Sequence, residues 1–120
     1  MPYLNNNLYF DINATAISNG NTFTSRKAGT GEFVQFFSVY VTAYLGDPII
    51  NVGLIDSSNT TVHWLHRERI VKKYSTFLLF SKENIGLFTD TDAIRGFQIA
   101  NITSGSTTSL HVYASMVYGT

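Results

Sequence analysis

Three histidines, His63, His66 and His111, are the side chains of this sequence best suited to hold a transition metal. Zinc asks for three or four ligands converging on one point. His63 and His66 stand three apart in a run that reads as a strand, and residues three apart on a strand point to opposite faces. His111 has no acid at a helpful spacing, so the ligand set does not close. Asp90 and Asp92 put two carboxylates on one side of a loop, as calcium prefers. The glycine-centred loop and third acid of a calcium-binding hand are missing, and the pair reads as a turn whose side chains bond its own backbone. Nor is there an activated nucleophile: no G-x-S-x-G turn, Walker loop, G-x-G-x-x-G or H-E-x-x-H occurs. The eight acids are scattered through loops and do not suggest the paired carboxylates of a glycosidase. The expectation is a protein that is not an enzyme, with no catalytic, cofactor-binding or metal-ligating residues and no cofactor.

Charge supplies the next feature. Arg67, Arg69, Lys72, Lys73 and Lys82 fall within residues 67–83, where Glu68 and Glu83 are the acids. Such a cluster can meet an acidic partner surface, or it can be a solvated basic edge that keeps strands from pairing with strangers. Trp64 and Tyr74 nearby do not form the spaced stacking platform of a single-strand binder. The whole chain is neutral, with eight basic and eight acidic residues, and lacks the broad electrostatic drive toward nucleic acid or an anionic membrane. Charged residues make up only 13%, about half the usual share of roughly 25%, while aromatics reach 14%. The surface must therefore be built of Asn, Thr, Ser and Gly, or be partly hidden in an assembly. There is no cysteine, and the sequence shows neither a signal peptide nor an apolar run of membrane-spanning length. Asn13, Asn59 and Asn101 match the glycosylation acceptor pattern, which a chain rich in Asn and Thr produces by chance.

The elements that must position these residues are strands. Residues 33–55 read FVQFFSVYVTAYLGDPIINVGLI, two β-rich runs broken by Leu45-Gly46-Asp47-Pro48. Period-two alternation puts Phe33, Phe37, Val39, Val41 and Ala43 on one face and Val34, Phe36, Ser38, Tyr40, Thr42 and Tyr44 on the other. The first face is expected to be core. The second carries three aromatics at spacing four among hydroxyls and is expected to meet a further apolar layer or another subunit. Leu8–Ile12, Thr60–Leu65, Thr76–Phe80, Arg95–Thr103 and Leu110–Tyr118 are further strands, with 76–80 expected to be buried on both sides, and Ile85–Phe88 is a short strand or turn. Glu68–Tyr74 suits either a helical turn or a strand end. Asn19-Gly20-Asn21, Asp56–Asn59 and Ser104–Thr108 are turns. Eight to ten short strands without an amphipathic helix predict an all-β, single-domain antiparallel β-sandwich, jelly-roll-like. Residues 1–30 form a polar arm or the first strand pair; residues 31–120 form the sandwich.

The order of strands and turns resembles that of small bacteriophage virion β-sandwich proteins, either capsid decoration or cement proteins or tail and fibre modules. The likeness is carried by Val34-x-x-x-Ser38-x-Tyr40-Val41-Thr42, then Val52-x-Leu54-x-Asp56-Ser57, then Ser75-x-x-Leu78, and the closing Val112-x-Ala114-Ser115-x-x-Tyr118. It covers roughly residues 33–119 and lies in strand and turn style. The basic stretch 67–73 departs from the plainer linkers of such proteins. The resemblance implies a virion component, assembled in the host cytoplasm as a symmetric homo-oligomer, trimers foremost, in contact with major capsid or tail proteins. Its interface is expected at Phe36, Tyr40, Tyr44, Trp64, Arg67, Arg69, Lys72 and Lys73. The competing expectation is a carbohydrate-binding tail or fibre module for host recognition, in which Trp64 and the tyrosines stack on a glycan.

Overall fold

The computed structural model describes residues 9–85, 87–89 and 91–120. Its strands are β1 (Tyr9–Ser18), β2 (Thr22–Thr24), β3 (Phe33–Leu45), β4 (Ile49–Ile55), β5 (Thr61–Ile70), β6 (Thr76–Ser81), β7 (Leu87–Phe88), β8 (Gly96–Asn101) and β9 (Ser109–Gly119). Successive strands mostly change sheets. One sheet runs β1-β9-β3-β6, with the two-residue β7 also on β3; the other runs β2-β8-β4-β5. All strand pairs are antiparallel. Two four-stranded layers wound in this order are a jelly roll. The ambiguous stretch after Leu65 continues as strand to Ile70 before the chain turns through 71–75.

The core lies between the layers. Val39, Val41 and Ala43 from β3 face Ile50, Val52 and Leu54 from β4, with Ile99 from β8 and Leu110, Val112 and Met116 from β9. At its centre Phe36, Phe80 and Phe97 meet edge to face, with centroids 5.4–5.8 Å apart. Phe36 and Phe80 come from one sheet and Phe97 from the other, so the cluster joins the layers. Each such ring pair adds about 0.5–1.5 kcal/mol beyond area burial.

The strict two-face partition of β3 is corrected by a bulge. Phe36 pairs with Met116 and Ser38 with Ser115, leaving Phe37 as an extra residue. An inserted residue reverses the inward parity. Val34 and Phe36 therefore point inward before the bulge, and Val39, Val41 and Ala43 after it. A second correction concerns β6: as an edge strand it leaves Leu78 exposed at 52%, so 76–80 is not buried on both sides.

Polar bonds secure both ends of the sandwich. At one end, buried Asn101 donates to Thr108 Oγ1 (3.1 Å) and accepts from Thr103 N–H (3.2 Å) and Thr103 Oγ1 (2.7 Å). Thr103 Oγ1 also accepts the Ile49 N–H, and Asn19 Oδ1 accepts the Thr108 N–H. The β1–β2 turn, the β8–β9 loop and the start of β4 are thus tied together. At the other end, residues 25–32 close over Tyr118, whose hydroxyl donates to the Arg26 carbonyl. The Gly29 N–H donates to Glu32 (2.7 Å), and Arg26 lies 3.3 Å from the same carboxylate. These contacts, the Gly29 bond foremost, hold the Glu32 carboxyl below the ordinary glutamate range against the opposing effect of burial.

Asn101→Ala leaves the Thr103 N–H and hydroxyl proton without their acceptor in a buried site, while Thr108 keeps its bonds to Asn19. We expect a loss of about 1–3 kcal/mol, read from the urea midpoint. The lowered Glu32 pKa stabilises the fold above the unfolded-state value, and that contribution fades as pH falls through the folded-state value. Glu32→Gln should therefore show a shallower loss of melting temperature between about pH 5 and pH 3 than the parent protein.

Candidate functional site

The outer face of the β1-β9-β3-β6 sheet carries an uncharged aromatic row. The register sets Leu78 of β6 beside Tyr40 of β3, and Tyr40 beside Tyr113 of β9. The Tyr40 and Tyr113 rings stack at 5.0 Å with 21° between planes. Hydroxyl rows flank them: Thr76–Thr42–His111 on one side, where the two threonine hydroxyls are 2.9 Å apart, and Ser81–Ser38–Ser115 on the other. Tyr44 occupies a second bulge of β3, between Ala43 and Leu45, and its ring lies 4.4 Å from His111. Ser109 Oγ donates to the Tyr44 hydroxyl at 2.6 Å. These rows contain no Lys, Arg, Asp or Glu, so the face can be desolvated without stranding a charge.

Tyr40 and Tyr44 are therefore on the outer surface, but Phe36 is not with them. It is 0% exposed in the aromatic cluster, because the Phe37 bulge separates its parity from theirs. Tyr113, His111 and Leu78 complete the face instead. The first two were legible in β9, where Leu110, Val112, Ala114 and Met116 claim the inward parity. Leu78 gave no such signal, since every neighbour in TFLLF but Thr76 is apolar.

Trp64 and the cations occupy a different part of the molecule, the flank where β5 and β6 face each other. Edge strand β5 departs from the register of β4 three times in ten residues. Glu68 sits at φ 53° in one of these irregularities and donates its N–H to Asn51 Oδ1 at 2.8 Å. Trp64 pairs with Gly53, where an added Cβ would lie 3.3 Å from the indole and 2.7 Å from the Thr61 methyl. The glycine is thus the floor on which the ring rests. Arg67 stands 4.7 Å from the Trp64 ring centroid, Arg69 4.6 Å from Phe77, Lys73 4.8 Å from Tyr74 and Lys82 5.8 Å from Phe37. Lys72 makes a long exposed ion pair with Asp47 at 4.0 Å. The flank therefore holds its cations over aromatic faces, each contact contributing about 0.5–1 kcal/mol where exposed.

His66 Nε2 is 3.2 Å from the Leu79 carbonyl oxygen, while His63 is exposed. Asp92 accepts the Thr89 N–H at 2.7 Å, closing its own turn; Asp90 lies outside the described residues. Among the described residues no group of three or more His, Asp or Glu is placed to hold a metal ion.

No protein-family model matches this sequence, and no curated protein matches it. Solved structures resemble it in fold. A chain of Bacillus endospore appendages, described as disulfide-linked pili, aligns with a TM-score of 0.53 at 9% identity over 98% of this chain and 92% of its own. A chain of the Gx strain of infectious bursal disease virus aligns with a TM-score of 0.54 at 10% identity, covering 98% of this chain and 32% of its own. The VP2 subviral particle of the same virus gives 0.53 at 11% identity, over 98% and 33%. This chain thus spans about a third of the viral chains it matches. At such identities the likeness is one of fold: a jelly roll shared with particle-forming and pilus proteins.

Gly53→Ala should push Trp64 off its seat, because neither the Thr61 methyl nor the indole can yield the missing space cheaply. As the sequence has one tryptophan, its fluorescence reports the site. The expected outcome is a shifted emission maximum with a stability loss of about 1–3 kcal/mol.

Proposed function

We propose that this chain is a non-enzymatic structural protein of a virion, a decoration or cement component that assembles as a symmetric oligomer on a capsid lattice. One observation carries the reading: the Leu78–Tyr40–Tyr113 row with its uncharged hydroxyl flanks. Rigid aromatics in an uncharged setting supply contact area at little entropic cost and are typical anchors of protein interfaces. The fold supports the same reading, since jelly rolls serve repeatedly as shell-building units. The likeness to an infectious bursal disease virus particle protein and to a pilus chain points the same way. The basic β5–β6 flank, with Arg67, Arg69, Lys72 and Lys73, is a secondary contact for an acidic lattice surface.

The carbohydrate-binding alternative draws less support. Its tryptophan rests on Gly53 and has Arg67 over its ring, so the indole already has partners on the protein. Trp64 is still exposed at 42%, so the two readings are separated by binding rather than by burial.

The test is co-sedimentation of the purified protein with capsids that lack it, beside a glycan array. Capsid binding that Tyr40→Ala and Tyr113→Ala weaken at least about tenfold, with urea midpoints little changed, supports the lattice reading. Phe36→Ala is the contrast: it should cost about 3–5 kcal/mol of fold stability, whatever the assembly state. A specific glycan ligand with no capsid binding would replace this proposal with the carbohydrate-binding one.

A further inference from the structure

The four sheet edges of this fold are treated very differently. Strand β5 is bulged three times and carries Arg67, Glu68 and Arg69. Strand β6 is six residues long and irregular against β3; its Leu79 carbonyl oxygen lies 3.2 Å from His66 Nε2, and Arg69 covers its Phe77. Strand β2 has three residues. These are the usual devices that stop a sheet edge from recruiting another chain: brevity, bulges, charge and cover.

Strand β1 is neither short nor bulged, and it carries a single charge, Asp11. It is ten residues long and pairs with β9 from Tyr9–Tyr118 to Ser18–Ser109 without a register shift. Its sequence, YFDINATAIS, contains one charged residue and no Lys, Arg, Gly or Pro. It ends the sheet, so among the described residues no strand pairs with its outer side. A strand bonded on one side presents a row of N–H and C=O groups on the other, and a long regular row is a template for pairing.

We propose that β1 is the self-assembly edge of this protein, and that its occupant is β1 of a second copy, aligned antiparallel across a two-fold axis. This deepens the assembly reading above and rests on it. The like-with-like choice follows from the edges: β5, β6 and β2 of a neighbour are bulged, covered or short, and only another β1 offers an equally long regular row. An antiparallel pair of identical strands is self-complementary by symmetry. It joins two sheets into one of eight principal strands and sets the two tyrosine rows on the same side of it. The register sets Ala16 beside His111 on that face, so a small residue lies next to the seam. Pairing of like edges gives an even number of chains in place of the threefold form expected from sequence.

Hydrogen exchange of the full chain, read at low and high concentration beside its mass in solution, tests this. The expected result is an even-numbered oligomer at high concentration, with β1 amides slowed at least about tenfold relative to the monomer. Ala16→Lys sets a charge beside the seam at an exposed position and should abolish both effects while keeping the parent's melting temperature; Thr22→Lys on β2 is the control and should abolish neither. An oligomer whose β1 amides exchange as in the monomer would overturn the edge proposal and leave assembly through the tyrosine face standing. A chain that stays monomeric at every concentration yet binds capsids would also overturn it, again without touching the lattice reading. A chain that neither associates nor binds capsids would remove both.

Discussion

One extra residue in β3 decides which surface this protein shows. The Phe37 bulge lets a single long strand serve two inward parities, so Phe36 reaches the aromatic cluster while Tyr40 turns away from it. Without the insertion, a strand with Val39, Val41 and Ala43 inward would leave Phe36 on the water side. With it, Phe36 meets Phe80 and Phe97, and the two layers are joined by rings that interlock edge to face. The outer tyrosine row is the other half of the same event. Tyr40 can stack on Tyr113 because the strand has settled into its second parity before that point.

The two flanks of the sandwich follow opposite strategies. Where β5 and β6 face each other, irregular backbone, stacked cations and a histidine near a main-chain carbonyl leave little room for another strand. Where β1 ends its sheet, the backbone is regular and nearly uncharged. Protecting one flank while leaving the other plain would give any association a direction. The uncharged outer face adds area without adding desolvated charge, consistent with a chain in which charged residues are half as common as usual.

Much of this was legible in the sequence. Alternation located the strands, and the lack of any helical period, with turn signals between short apolar runs, led to the sandwich. The bulge was not legible, because Val34, Phe36, Phe37, Val39 and Val41 are apolar on both parities and no glycine or proline marks the insertion. The irregularities of β5 were hidden for a related reason: Glu68 adopts a left-handed conformation that its residue type does not advertise. The exposed Leu78 shows a different limit, since a continuous apolar run looks the same at a sheet's edge and in its middle until the neighbours are known. The basic cluster was readable as an edge, but its stacking on Trp64, Phe77 and Tyr74 depends on turns and pairings that only the fold supplies.

The position of β9 has a consequence for how the molecule is made. It lies between β1 and β3, yet it is the last of the described strands to leave the ribosome. Until it arrives, β1 has waited through about ninety residues of synthesis with no strand to pair with, and β3 lacks its longest partner. Closure is then non-local and belongs to the slow end of folding. A chain halted shortly before Leu110 would hold most of its apolar residues and still be unable to form that sheet, leaving apolar surface open to solvent.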